Sequence, residues 1–290
     1  MIPLTKLKKD VQFNGQFTKI VDAMKGIAAA RFHMLQRQLS LFEPFSKVAE
    51  TILAGMNLQM IGHPFLQPTV STVGVVMITS NEGFLGGLNS QVVAAGLQEA
   101  GADAVLTVIG SQGRNYLRHV RQRVAVFPGV MDAMRYEQAV ALRDHVVREV
   151  LQGRCGRVVI AYPKAVSFSS QQVQVEPLIP CTAWIPNAKQ PAKAIGTVWE
   201  SDQAEVVEYV VTGWLAHRLD EIFALSRLAE LSARAVHLEG SYQELLRQGK
   251  RLKHHYLRAR HEVIDRSIRE ISSSQLMFHG ESANEDADGE

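Results

Sequence analysis

The chain has 290 residues, 46% apolar and 21% charged, with a formal net charge of +2. That is enough apolar sequence for a packed core in one or two domains and too little net charge to argue for nucleic acid from bulk electrostatics. The only two cysteines, Cys155 and Cys181, form no C-x-x-C and no zinc spacing, which points to a reducing compartment rather than a disulfide or metal framework.

The first ten residues, MIPLTKLKKD, lack the apolar stretch of a secretory signal. No run approaches the ~20 apolar residues that span a bilayer. The longest, residues 73–78, is strand-length. Any role at a membrane is therefore expected to run through partners, with no direct insertion.

The N-terminal segment is proline-free from Leu4 to Glu43. Phe13, Phe17, Ile20, Met24, Ile27, Arg31, Met34, Gln38 and Leu41 alternate by four and three, which predicts a heptad seam with polar interruptions at Arg31 and Gln38. Leu4, Leu7 and Val11 keep the same rhythm one step out of phase, as a local stutter would. Pro44 marks an end or kink, and helical character resumes over 48–56.

The middle of the chain changes pattern. Residues 73–79 read as a buried parallel strand, NEGFLGGLN (81–89) as a glycine-bearing turn, and 90–100 as a short helix. A second strand is expected at 104–109, an amphipathic helix at 136–151, and a third strand at 157–161. Residues 173–179 alternate as an edge strand closed by Pro180. Strand–helix–strand order with short loops predicts a small, Rossmann-like α/β domain. Residues 187–194, with Pro186 and Pro191, read as a linker.

After Pro191 no proline occurs to the end. Leu228, Leu231, Ala235, Leu238, Tyr242, Leu245, Gly249, Leu252, Tyr256, Ala259 and Val263 alternate three and four, with Gly249 alone lacking a side chain. Beyond them the stripe shifts to Ile264, Ile268 and Ile271. A helix over 203–273 is on the order of 100 Å long at ~1.5 Å per residue. Neither terminal segment can bury its stripe alone, and folded back on each other they can. The expected fold is α/β: a long antiparallel coiled coil of the N- and C-terminal helices (1–60 and 200–277) around a central α/β domain (70–190). An acidic, disordered tail follows at 278–290.

Chemistry is sparse. The glycine loop after the first strand invites phosphate binding, but neither G-x-x-x-x-G-K-[ST] nor G-x-G-x-x-G is present, and a structural turn is the better reading. Asp265 stands where a zincin would repeat the histidine of His261-Glu262. His254 and His255 are adjacent, so on a helix they diverge and cannot clamp one metal. No nucleophile–base pair can be nominated. The basic stretch Lys250, Arg251, Lys253, Arg258 and Arg260 reads as a coiled-coil flank facing solvent or a partner. No catalytic residue, cofactor or metal is assigned.

Several segments in one order resemble the gamma subunit of F-type ATP synthases, the central rotor shaft. These are KIVDAMKGIAAAR (19–31), ITSNEGFLGGLNSQV (78–92), VIGSQGRNYL (108–117), the stretch 171–180, LSARAVHLEG (231–240) and YLRARHEVIDRSIREI (256–271). The resemblance implies a non-catalytic subunit that couples ion translocation to ATP synthesis or hydrolysis by rotation. Its implied partners are the alpha and beta subunits of the catalytic hexamer, the epsilon subunit and the c-subunit ring. Its implied place is the cytoplasmic face of a bacterial inner membrane, as a peripheral protein. Met24 and Arg234 match the family's contacts to the lever region of the catalytic subunit, with Lys25 beside them. His261 and Asp265 fall at further hexamer-contact positions, and Gly83, Gly86, Gly87, Leu88 and Asn89 form the central motif. The chain departs from the pattern at Asn81-Glu82 (usually aspartate-arginine), at Leu85 (usually cysteine), at His261, Asp265 and Ser267, and in HLEGSYQELLRQ (237–248). These departures imply a divergent member, from a second, alternative ATPase complex. Two other classes compete: an α/β ligand-binding regulator or enzyme with a coiled-coil arm, and a nucleic-acid-binding coiled coil using 250–260.

Overall fold

A computed structural model describes residues 3–38, 43–183 and 200–285. Among the described residues six α-helices and five strands follow in the order α1 (Leu4–Gln38), α2 (Glu43–Ala54), β1 (Val73–Ile78), α3 (Leu88–Glu99), β2 (Val105–Ile109), α4 (Ser111–Tyr116), β3 (Val124–Phe127), α5 (Arg135–Leu151), β4 (Arg157–Ala165), β5 (Gln171–Ile179) and α6 (Gln203–Glu285), with short 3-10 turns at Asp132–Met134 and Cys181–Ala183. The residues fall into two compact units, Met1–Met24 with Leu238–Glu290, and Lys25–His237. Helices α1 and α6 contribute to both. The expected linker at 187–194, the seam position Leu41 and residues 286–290 of the acidic tail lie outside the described residues.

The larger unit is built on one sheet in the order β3-β2-β1-β4-β5. β1 pairs in parallel with β2 and β4, and β2 with β3. β5 closes the sheet antiparallel to β4. Side chains alternate across a strand, so β1 feeds two cores. Val76 and Ile78 join α2, α5 and α6 on one face, around Phe65, Leu142, Leu219 and Phe223. Val75 and Met77 join Val92 and Val93 of α3 and Leu106 and Val108 of β2 on the other. A parallel sheet buried on both faces by crossover helices is the expected doubly wound arrangement.

Two elements here escape the sequence pattern. β3 is four residues long, flanked by Arg121, Arg123 and Pro128, too short and too charged at its ends to show a period. α4 has six residues, SQGRNY, of which only Gly113 is buried, so it carries no apolar stripe.

In the same unit Phe32 and Leu35 of α1 pack on Leu228 and Leu231 of α6. In the smaller unit Gly249 of α6 faces Asn14 of α1.

The seam of α6 follows the expected heptads. Leu238 is buried, and Tyr242, Leu245, Gly249, Leu252, Tyr256 and Ala259 are half-buried. It stops there: residues 260–273 are all exposed, Val263 included. The helix itself continues to Glu285, past the expected end at 277.

The seam of α1 is a correction. Phe13 (68% exposed), Phe17, Ile20, Met24, Ile27 and Met34 all lie outward. The buried positions are Leu7, Asn14, Val21, Ala28, Phe32 and Leu35, with Leu4, Val11, Thr18 and Lys25 half-buried between them. That is the register of Leu4, Leu7 and Val11 continued without a stutter. Small and polar residues on this stripe let the helices approach closely. A Cβ on Gly249 would come within 2.6 Å of Asn14 Oδ1. Two stripes of the same 3.5-residue period exist on α1, and the less apolar one faces α6.

Candidate functional site

The loop after β1 is tied down by its own polar side chains. Thr79 donates its hydroxyl to the Ile109 carbonyl (2.6 Å) and accepts from the Gly113 N–H (2.9 Å). Asn89, in the first turn of α3, accepts from the Ser80 N–H (3.1 Å) and donates to Ser80 Oγ (2.9 Å). Asn81 accepts from the Ser111 N–H (3.0 Å). These hydrogen bonds tie the residues after β1 to the carboxyl end of β2, to α4 and to the first turn of α3.

Most residues of the central motif find a structural place, Gly83 excepted. Gly86 has φ +60, a conformation that costs a side-chain-bearing residue ~1 kcal/mol or more. Phe84 also sits at positive φ, 63°, and its half-exposed ring lies 6.4 Å from that of His237. Gly87 is the N-cap of α3. Leu88 and Leu85 are buried against Ala233 of α6. Gly83 has open space around it. The motif shapes a loop that closes on α6.

Arg234 is at the centre of that closure. It is 7% exposed, and its Nη2 lies 2.7 Å from Glu230 Oε1 and 3.0 Å from Glu82 Oε2. Glu230 also takes Arg227 Nη1 at 2.8 Å, and Arg227 Nε lies 3.4 Å from Asp132 Oδ1. Opposite charges thus alternate from Asp132 through Arg227, Glu230 and Arg234 to Glu82. Within this chain the guanidinium of Arg234 is turned to its own carboxylates. The helix members stand at i, i+3 and i+7, a spacing that puts side chains on one face and is legible in the sequence. Glu82 and Asp132 join only through the fold, and no local pattern announces them.

The remaining nominated residues are placed separately. Lys25 is half-buried in the α1 seam of the larger unit. In the smaller unit Met24 is 37% exposed on the outer stripe. His261 and Asp265 are exposed one turn apart on α6. Among the described residues no group of His, Cys, Asp and Glu is arranged to hold a metal. No described helix is long and apolar enough to cross a membrane.

Residues 4–275 match the family model described as ATP synthase. The chain is 23% identical over 264 residues to the ATP synthase gamma chain of Acidovorax sp. (strain JS42), covering 87% of this chain and 91% of that one. It is 25% identical over 269 residues to the ATP synthase gamma chain of Delftia acidovorans, with the same coverages. Among solved structures it is similar to a chain of the Euglena gracilis mitochondrial ATP synthase rotor, with a TM-score of 0.69 and 14% identity over 90% of this chain and 98% of that chain. A chain of the Tetrahymena thermophila mitochondrial ATP synthase central stalk and c-ring gives a TM-score of 0.61 and 19% identity, over 77% and 99%.

Proposed function

The chain belongs to the ATP synthase family as a gamma-type chain, and from that premise we propose that it is the central rotor shaft of an F-type ATP synthase or ATPase. It is a non-catalytic subunit. Rotation of the shaft couples ion translocation in the membrane sector to ATP synthesis or hydrolysis at catalytic sites in the beta subunits. Its partners are the alpha and beta subunits of the hexamer, the epsilon subunit and the c-subunit ring. It works as a peripheral protein on the cytoplasmic face of a bacterial inner membrane.

One observation carries this reading: the outward stripe of α1. Phe13, Phe17, Ile20 and Met24 are large, apolar and 37–68% exposed, and the rings of Phe13 and Phe17 stack at 6.0 Å. A row of this kind on a soluble helix marks a partner surface. A surrounding hexamer covers it, and the asymmetry of the surface biases each catalytic site differently as the shaft turns. Met24 lies on this row, with Lys25 next to it. His261 and Asp265 supply polar contacts to the hexamer from α6. Arg234 meets an acidic group of the catalytic subunit only in exchange for one of its own carboxylates.

The test is assembly. Phe17→Asp with Ile20→Asp leaves the free chain folded, because both residues face outward, and abolishes co-purification with the alpha and beta subunits encoded beside it. Val21→Asp, in the seam, disrupts the helix pair itself. Unimpaired assembly of the outward variant would overturn the reading.

A further inference from the structure

The alternating ions have a property that bears on how the α/β domain grips α6. Asp132, Glu230 and Glu82 supply carboxylates, and Arg227 and Arg234 supply guanidiniums. Without Glu82 the charges already balance: Arg234 pairs with Glu230, and Arg227 with Glu230 and Asp132. The inner members are nearly buried, at 8% for the Arg234 side chain, 10% for Glu230 and 11% for Arg227. Glu82 is 69% exposed. Charge neutralisation inside the protein therefore does not require Glu82. What its contact adds is attachment of the loop after β1 to α6.

Other contacts support the same closure. Leu85 and Leu88 bury against Ala233, and Phe84 is held at positive φ beside His237. The β4–β5 hairpin grips the neighbouring turns: Gln171 Nε2 donates to Ser232 Oγ at 3.0 Å, and the Phe168 ring packs edge-on to Phe32 of α1 at 5.0 Å. The hairpin grip is aromatic and neutral, insensitive to salt. The loop grip ends in an exposed ion pair, which salt weakens.

We propose that Glu82 is a positioning residue: its carboxylate, through Arg234, braces the 79–88 loop on α6 and fixes the α/β domain against twisting about that helix. The brace rests on the rotor reading for its consequence, which is faithful transfer of torque from the domain to the shaft. It does not rest on that reading for its existence, so two measurements separate them.

The first uses the free full-length chain. Hydrogen exchange is followed at residues 79–88 and 228–237 in the native chain, Glu82→Gln, Glu82→Asp and Arg234→Gln, in low and high salt. Glu82→Gln speeds exchange of the loop about two- to fivefold in low salt, the range of one exposed ion pair. High salt brings the native chain to the level of the variant. Glu82→Asp retains part of the protection, and the hairpin at 166–171 is unchanged throughout. The Glu82→Gln and Arg234→Gln effects on the loop are less than additive. Identical exchange in the native chain and Glu82→Gln, or fully additive effects, would overturn the brace. The second uses the assembled complex: Glu82→Gln preserves ATP hydrolysis and lowers the number of ions moved per ATP. Loop loosening with unchanged coupling would refute the torque role and leave the rotor reading untouched.

Discussion

His145 on α5 shows how burial sets a residue's charge. Its Nε2 lies 3.2 Å from Thr107 Oγ1 on β2. Burial lowers its pKa below the ordinary 6.5, with Glu149 opposing and Arg148, Arg154 and Arg123 reinforcing the shift. The unfolded chain therefore binds the proton more tightly than the folded one. Stability from this group is intact above about pH 6.5 and falls as the pH drops toward the lower folded value. A shift of the denaturant midpoint between neutral and mildly acid pH is predicted to be smaller in His145→Gln than in the native chain. The two thiols follow the same logic with the opposite sign. Burial, with Glu149 adding to it, pushes Cys155 up to about 11, and burial pushes Cys181 up to about 12. Both should resist alkylation in the folded protein near pH ~8 and react on unfolding. Rapid labelling of either in the native state would contradict their placement. Of the nominated contact residues, Met24 reads from sequence as part of the packed seam but lies on the outer stripe of α1, while His261 and Asp265 are exposed. Sequence could not show that Arg234 is engaged by Glu82, because that contact spans the whole α/β domain.

At the scale of elements, the two long helices differ in how far sequence described them. The seam of α6 from Leu228 to Ala259 was readable because one face carries nearly all its regularly spaced apolar residues. On α1 two stripes of equal period compete, and the choice lies with packing. Asn14, Thr18 and Ala28 let α6 come close, while the larger Phe13, Phe17 and Ile20 remain outside. The pairing of Gly249 with Asn14 gives a direct check. Gly249→Ala together with Asn14→Ala removes the crowding and keeps the gain in helix propensity, a predicted stabilisation of about 1 kcal/mol. Gly249→Val in the native background destabilises the pair by about 1–3 kcal/mol through overpacking. Both are read from thermal or denaturant unfolding. Leu238→Asp, at a position 1% exposed, buries a charge and should cost several kcal/mol. Gln243→Asp, at an exposed position whose amide only donates to Glu239, should change stability by less than ~0.5 kcal/mol. Equal effects at 238 and 243 would mean that the seam is misplaced.

For the whole molecule, the order of elements and the sheet class were legible from periodicity and glycine punctuation, and the family from motifs in order. The strand β3 was not, because four residues cannot display a pattern. Neither was the clamp of the α/β domain on α6, because it is made of contacts distant in sequence. What emerges is a protein without an assigned catalytic group, whose apolar surface faces outward along α1 and whose central motif serves to hold a loop on a helix. The account stands or falls on rotation. The chain is labelled and assembled with its alpha and beta subunits, the hexamer is immobilised, and single complexes are watched with ATP present. The prediction is unidirectional, ATP-dependent rotation of this chain, lost in the Phe17→Asp, Ile20→Asp variant. Stable assembly with ATP hydrolysis but no rotation of this chain would contradict it.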